Sequence, residues 1–128
     1  MPFRSGFPIV YAGDLPASLA FYRDLLGFAE IYRQPEEGEP AFVSLEQGGT
    51  KLGLVVHGAP EAHFGVTPGG GIAFELWLYC DDVDAEIERL RAAGVAVLRE
   101  PADMPWGERL AYVADPDGNP VSIAAKLS

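Results

Sequence analysis

The sequence is poor in the residues that build disulfides and the commonest metal sites. Its only cysteine, Cys80, cannot form an internal disulfide, which fits a protein of a reducing cytoplasm. Its only histidines are His57 and His63, and their spacing matches no standard metal-binding motif. Cys80 also lacks the sequence context of a catalytic triad, so a small packed side chain is the better interpretation.

Positive charge and long apolar runs are also scarce. Nine Lys and Arg residues face nineteen Asp and Glu residues, a net charge of −10, which argues against a nucleic-acid partner and favours a cationic small molecule. No apolar run approaches the roughly 20 residues that span a bilayer. Residues 1–4 lack the apolar stretch of a signal peptide, so we expect a cytoplasmic protein without a membrane partner.

One pattern occurs twice along the chain. Asp14 precedes a helical stretch that ends at Gly27, and Asp81 precedes a second one that ends at Gly94. In the last strands, Gly53 lies between two leucines, as Ser122 lies between Val and Ile. A duplicated unit of this kind predicts a ligand-binding cleft where the two copies face one another.

The repeat predicts an α+β fold with two tandem βαβββ modules whose curved mixed sheets enclose a cleft. We expect one domain, 1–128, with modules at 7–57 and 72–126 and a Gly- and Pro-rich linker at 58–71. Helices are predicted from the Asp14 cap to residue 26 and at 83–93. Strands are predicted at 7–12, 28–33, 41–46, 51–57, 72–79, 95–99, 109–114 and 120–125.

Alternation along the strand at 72–79 divides its side chains between two faces. One set is wholly apolar and is expected to lie under helices: Ile72, Phe74, Leu76 and Leu78. The other set mixes polar and aromatic groups and is typical of a cavity lining: Ala73, Glu75, Trp77 and Tyr79.

The first copy carries a motif of the form Asp-Leu-x-x-Ser-Leu-x-Phe-Tyr-x-x-x-Leu-Gly-Phe, from Asp14 to Phe28. The second adds Pro105-Trp106-Gly107-Glu108-Arg109 and the turn at 115–119. With two βαβββ units, the chain resembles the vicinal oxygen chelate superfamily of glyoxalases, bleomycin resistance proteins and extradiol dioxygenases. The resemblance is closest to the bleomycin-resistance-like members.

The resemblance implies four metal-ligand positions, in the first and last strand of each copy. In this sequence they fall on Phe7, Gly53, Glu75 and Ser122, of which only Glu75 is a good ligand. Because divalent metal sites usually take three or four protein ligands, we expect no metal and no other cofactor. The alternative is a divalent iron, nickel, zinc or manganese ion held by Glu75 and by ligands at other positions.

The predicted site residues are mostly aromatic. Glu75 is expected to hold a cationic group or to act as a general base; the alternative is an exposed residue paired with Arg109 or Lys51. Aromatic rings attract cations and stack on flat ligands, and Trp106 would act as a lid. The full predicted ligand-binding set is Phe7, Tyr11, Phe42, Glu75, Trp77, Tyr79, Trp106 and Arg109.

These residues predict a non-catalytic protein that binds and sequesters a cationic, aromatic, antibiotic-like small molecule. The alternative is an enzyme: a metal-dependent glyoxalase-like lyase or isomerase, or a dioxygenase, with a metal-free version that uses Glu75 for proton abstraction. A third class is an accessory interaction domain. The resemblance also implies a homodimer.

Overall fold

Two compact units make up the chain. The computed structural model describes residues 6–69 and 71–128, and the units comprise Met1–Gly69 and Gly70–Ser128. Each unit contains a four-stranded mixed sheet in which the first strand pairs in parallel with the last strand. The predicted α+β fold of two βαβββ units is therefore confirmed. Within the described residues, no helix has the length and apolar character needed to cross a membrane.

Unit 1 has the strand order β1-β4-β3-β2. The helix α1 continues directly into a π-helical segment, Ala20–Leu25, and a short helix, α2, lies within the stretch predicted as a linker. The elements are β1 (Ile9–Ala12), α1 (Leu15–Leu19), β2 (Ala29–Gln34), β3 (Phe42–Gln47), β4 (Thr50–Val56) and α2 (Ala59–Phe64).

Unit 2 repeats this order as β5-β8-β7-β6. Its elements are β5 (Leu76–Tyr79), α3 (Val83–Ala92), β6 (Val97–Asp103), β7 (Glu108–Ala114) and β8 (Pro120–Lys126). The predicted strand at 72–79 is shorter than expected, because the Ala73 N–H donates to Asn119 Oδ1 (3.0 Å) instead of to a strand. Strand β6 extends beyond residue 99, where the predicted strand ends, since an irregularity between Arg99 and Ala102 accommodates Pro101.

The helix caps correct the alignment of the two copies. Asp14 Oδ1 accepts a hydrogen bond from the Ala17 N–H (3.0 Å), and Asp82 Oδ1 accepts one from the Ala85 N–H (3.0 Å). The second cap is thus Asp82, and not Asp81, with which Asp14 was aligned in the sequence. Because Glu75 lies seven residues before Asp82, as Phe7 does before Asp14, the two residues hold equivalent positions.

One face of each sheet packs against the helix of its own unit. In unit 1 this face buries Val10, Leu52 and Leu54, and in unit 2 it buries Leu76, Val113 and Ile123. The helical side chains that complete these cores are Leu15, Leu19 and Tyr22 in unit 1 and Val83, Ile87 and Leu90 in unit 2. Ile72, which was predicted to lie under a helix, is 73 % exposed because it precedes β5. Each helix covers one face of its sheet, and on the opposite face of unit 2 Leu110 and Ala124 are buried together with Met104.

The cap of α3 yields a direct test of the corrected alignment. Replacing Asp82 by Ala removes the acceptor for the Ala85 N–H and is expected to lower the free energy of unfolding by about 1 kcal/mol. Replacing Asp81, the adjacent exposed acid, by Ala is expected to change it by less than about 0.5 kcal/mol. Urea unfolding of both variants measures the difference, and a larger loss for Asp81→Ala would restore the original alignment.

Candidate functional site

The parallel strand pair decides which side chains meet on the face opposite the helix. In unit 1 Ile9 lies beside Gly53, and in unit 2 Trp77 lies beside Ser122. Side chains two residues apart on a strand share a face. Each of these pairs therefore lies on one face of its sheet, together with the alternate residues of the same strands. We call these surfaces the aromatic face of unit 1 (Phe7, Ile9, Tyr11, Tyr32, Phe42 and Gly53) and the aromatic face of unit 2 (Trp77, Tyr79, Trp106, Glu108, Ser122 and Lys126).

Apolar side chains close over Gly53. A Cβ atom added at Gly53 would lie 3.0 Å from Phe42 Cε1, 3.1 Å from Ile9 Cγ1 and 3.2 Å from Phe7 Cε2. These distances are shorter than normal van der Waals contact, so a larger residue at Gly53 would have to displace its neighbours. The two ligand positions that the resemblance implies for unit 1 therefore do adjoin one another, but they form an apolar contact between Phe7 and Gly53.

The equivalent positions of unit 2 form a polar pair. Ser122 Oγ donates a hydrogen bond to Glu75 Oε1 (2.9 Å). Ser122 is fully buried, whereas Glu75 is exposed on the segment that precedes β5. This bond orients the Glu75 carboxylate and leaves its second oxygen for another partner.

These four positions do not fit a divalent metal ion. Glu75 is the only one with a carboxylate, Ser122 already donates to it, and the space beside Gly53 is filled by aromatic and aliphatic groups. Among residues 6–69 and 71–128, no group of three or more His, Cys, Asp or Glu side chains could hold a metal. The residues at these positions therefore do not assemble a metal centre.

Two aromatic side chains of unit 2, Trp106 and Tyr79, interact with the Glu108 carboxylate, and Trp77 lies beside Tyr79. Trp106 Nε1 donates to Glu108 Oε1 (2.8 Å), and the rings of Trp77 and Tyr79 lie 6.5 Å apart with an interplanar angle of 56°. A hydrogen bond with Glu108 is the largest cause that raises the pKa of the Tyr79 phenol above its usual value. Trp77 is 38 % exposed, and Tyr79 and Trp106 are each 60 % exposed, so their rings are accessible.

The ammonium group of Lys126 lies above this aromatic set. Its Nζ is 6.0 Å from the centroid of the Tyr79 ring, near the limit for a cation–π contact. Lys126 is paired across the sheet with Glu108, so the two charged residues are neighbours at the end of the β7–β8 ladder. The aromatic face of unit 2 thus presents a carboxylate, three rings and one weakly held cation.

Arg109 is not brought together with the aromatic residues. Its Nε and Nη2 donate to the two carboxylate oxygens of Asp84 on α3 (2.7 and 3.0 Å), and its Nη1 donates to Asp103 Oδ1 (2.9 Å). The contact with α3 places Arg109 on the helix-covered face. The guanidinium holds the pKa of the Asp84 carboxyl below its usual range. Arg109 thereby connects α3 to β6 instead of reaching Glu75.

The other predicted site residues divide between the units. Phe7, Tyr11 and Phe42 share the aromatic face of unit 1, where Phe42 also lies 6.2 Å from the ring of Tyr32. Glu75, Trp77, Tyr79 and Trp106 all belong to unit 2. The predicted roles of these residues in ligand binding remain predictions.

Two charged residues of unit 2 were not predicted from the sequence. Glu108 and Lys126 each lie one residue outside the strands predicted at 109–114 and 120–125, so they were assigned no strand face. A strand one residue longer at each end would have placed both on the face of Trp77 by simple alternation. Glu108 and Lys126 were therefore missed because the two predicted strands were each one residue too short.

Known proteins are similar to this chain in sequence and in fold. The Glyoxalase/Bleomycin resistance protein/Dioxygenase superfamily model matches residues 6–123. A lactoylglutathione lyase of Haemophilus influenzae is 34 % identical over 123 residues, covering 91 % of this chain and 87 % of that protein.

Solved structures of other proteins also superimpose on this chain. A glyoxalase-related enzyme from Fulvimarina pelagi superimposes with a TM-score of 0.80 at 28 % identity, covering 97 % of this chain and 89 % of its own. TioX from Micromonospora sp. ML1 superimposes with a TM-score of 0.78 at 25 % identity, covering 97 % and 100 %.

The donor set at the four positions predicts the response to metals. After treatment with a chelator, the protein is expected to show no saturable rise in melting temperature with manganese, iron(II), cobalt, nickel or zinc. A native-state site at a hundredfold excess of metal over its Kd would add about 2.7 kcal/mol to the free energy of unfolding, which a melting experiment detects readily. A saturable rise for one metal, lost in Glu75→Ala, would contradict the misfit derived above.

Proposed function

This chain belongs to the glyoxalase/bleomycin resistance protein/dioxygenase superfamily, and from that premise we propose that it binds and sequesters a flat, cationic small molecule without a metal. The observation that carries the proposal is the closure of Phe7, Ile9 and Phe42 over Gly53, which replaces metal ligands by an apolar surface. Binding without chemistry would remove the ligand from solution, as expected of an antibiotic-sequestering protein.

The aromatic face of unit 2 supplies the interactions that such a ligand needs. Its accessible rings, Trp77, Tyr79 and Trp106, would stack on flat groups, each contact contributing about 0.5–2 kcal/mol. The Glu108 and Glu75 carboxylates would neutralise the positive charge of the ligand. The net charge of −10 would raise the local concentration of cations and speed their association.

The proposal includes a homodimer in the cytoplasm. Phe7, Ile9, Tyr11 and Tyr32 of unit 1 are each more than a third exposed, and exposed apolar surface of this kind commonly marks an interaction site. Sedimentation velocity would measure the assembly state. The single cysteine is the support for a reducing compartment.

Trp77 is the residue to test first, because the only two tryptophans, Trp77 and Trp106, both lie in the proposed site. Titration with proflavine or bleomycin is expected to quench their fluorescence saturably, and Trp77→Leu is expected to weaken binding about tenfold in calorimetry through the lost stacking. The control is Phe64→Leu, which removes an exposed ring from α2, 61 % exposed against 38 % for Trp77. No saturable binding of either probe, or equal affinity of both variants, would refute this site.

A second candidate is an isomerase or lyase in which Glu75 abstracts a proton from carbon. It is favoured by two relatives, which are named lactoylglutathione lyase and probable lactoylglutathione lyase, and by the hydrogen bond that orients Glu75. A carboxylate within reach of a proton next to a carbonyl would act as a general base. Since the metal-ligand positions do not fit a metal, this version relies on Glu75 alone.

Glu75→Gln separates the two candidates, because it retains the acceptor for Ser122 while removing the charge and the basicity. Under the sequestration proposal, neither protein forms or breaks down lactoylglutathione, and the variant binds a flat cation several-fold more weakly. Calorimetry and a spectrophotometric lactoylglutathione assay measure both properties. Turnover by the native protein that Glu75→Gln abolishes, with substrate binding retained, would favour the enzyme.

A further inference from the structure

We infer that the aromatic face of unit 2 is an ammonium site in which Lys126 acts as a tethered internal competitor, and that its external ligand carries a methylated, quaternary ammonium group. This inference rests on the proposed function and specifies the chemical class of the ligand. It assigns a role to Glu108 and Lys126, two residues of the site that are neither metal-ligand positions nor part of the sheet core.

Glu108 organises the rings. Its carboxylate accepts a hydrogen bond from Trp106 Nε1 (2.8 Å), and a further hydrogen bond with the Tyr79 phenol contributes to the raised pKa of that group. Trp106 comes from the β6–β7 turn and Tyr79 from the end of β5, so one carboxylate interacts with aromatic groups of two separate elements. A site whose rings are fixed before binding loses less conformational entropy when a ligand arrives.

The turn that carries Trp106 is itself held by backbone hydrogen bonds. The Met104 N–H donates to the Glu108 carbonyl (2.7 Å), the Gly107 N–H to the Met104 carbonyl (3.1 Å), and the Leu127 N–H to the Gly107 carbonyl (2.9 Å). Gly107 adopts a φ of 93°, which favours glycine over any residue with a side chain. The position of Trp106 is therefore set by the backbone as well as by Glu108.

Lys126 shows that an ammonium group reaches this surface. Its Nζ lies over the Tyr79 ring at 6.0 Å, and within the described part of the chain it forms no ion pair with a carboxylate. A cation–π contact at that distance on an exposed side chain is weak. The lysine is thus held loosely enough to be displaced, but its charge occupies the position that a ligand cation would take.

The position over the Tyr79 ring favours a quaternary ammonium over a primary one. The primary ammonium of Lys126 lies there, 6.0 Å from the ring centroid. Although Lys126 is paired across the sheet with Glu108, among the described residues it forms no ion pair with that carboxylate. A trimethylammonium group carries no N–H donor and depends on ring faces and on charge alone. Aromatic cages recognise quaternary ammonium groups by this combination.

Benzyltrimethylammonium is the probe, with benzylamine as the primary amine and benzyl alcohol as the neutral comparison. In calorimetry the native protein is expected to bind benzyltrimethylammonium more tightly than either comparison compound. Lys126→Met, which keeps a long apolar side chain but removes the competing charge, is expected to tighten this binding about two- to fivefold. Glu108→Gln, which keeps an acceptor for Trp106, is expected to weaken it about tenfold by loss of charge.

Two controls make the result specific. Arg89→Met removes one positive charge from the exposed surface of α3 and is expected to leave the affinity unchanged within about twofold at physiological salt. Melting temperatures of all variants show that each remains folded, and Lys126→Ala repeats the test if the Met variant does not fold.

The experiment distinguishes failure of the internal-competitor inference from failure of the proposed function. If proflavine binds in a Trp77-dependent manner but Lys126→Met does not tighten benzyltrimethylammonium binding, the internal-competitor inference is overturned and the proposed function stands. Tighter binding of benzylamine than of benzyltrimethylammonium by Lys126→Met would overturn the assignment of a quaternary ligand. If neither proflavine nor benzyltrimethylammonium binds to the native protein or to Lys126→Met, both proposals fail.

Discussion

Parallel pairing between the first and the last strand of each unit is the constraint on which the rest of the structure depends. A parallel connection needs a crossover, and in each unit that crossover carries a helix that must bury its apolar side against the sheet. The helix occupies one face, so the residues of the other parity lie on the face away from the helix. The registers of Ile9 with Gly53 and of Trp77 with Ser122 then determine which side chains become neighbours on that second face.

The same backbone plan supports opposite chemistry in the two units. At Gly53 the absence of a side chain allows Phe7, Ile9 and Phe42 to meet, so unit 1 has an apolar surface at this point. At the equivalent position of unit 2, a serine hydroxyl directs a carboxylate toward the surface. The two units thus share one backbone plan while the residues on the faces away from the helices differ in chemistry.

The fold was predictable because its signals are local. The acidic helix caps, Gly27 and Gly94 at the helix ends, and the alternating strands all arise from short stretches of sequence. The second cap was placed one residue early because Asp81 and Asp82 are both suitable acids, and only the hydrogen bond from Ala85 distinguishes them. The start of β5 depends on the distant Asn119, whose side chain binds the Ala73 backbone, so no local pattern could reveal it.

The site was less predictable because face assignment depends on strand boundaries. Arg109 begins the predicted strand at 109–114 and was assigned to the ligand site, but α3 supplies Asp84 as its partner on the other face. Glu108, one residue earlier, is the carboxylate that contacts the aromatic side chains. Between neighbouring residues of a strand the side-chain direction reverses, so a shift of one position exchanges a residue of the helix-covered face for one of the opposite face.

Charge pairing explains why an acidic protein would still discriminate among cations. Most of its arginines are engaged by carboxylates, as Arg33 is by Glu30 and Arg109 is by Asp84, so they are held away from the aromatic faces. Exposed pairs of this type add little stability, but they fix the location of positive charge. Lys126 differs because its ammonium lies over a ring beside Glu108. The net negative charge attracts every cation. At the proposed site, however, a ligand cation must bind the Tyr79 ring more strongly than Lys126, which is already part of the chain.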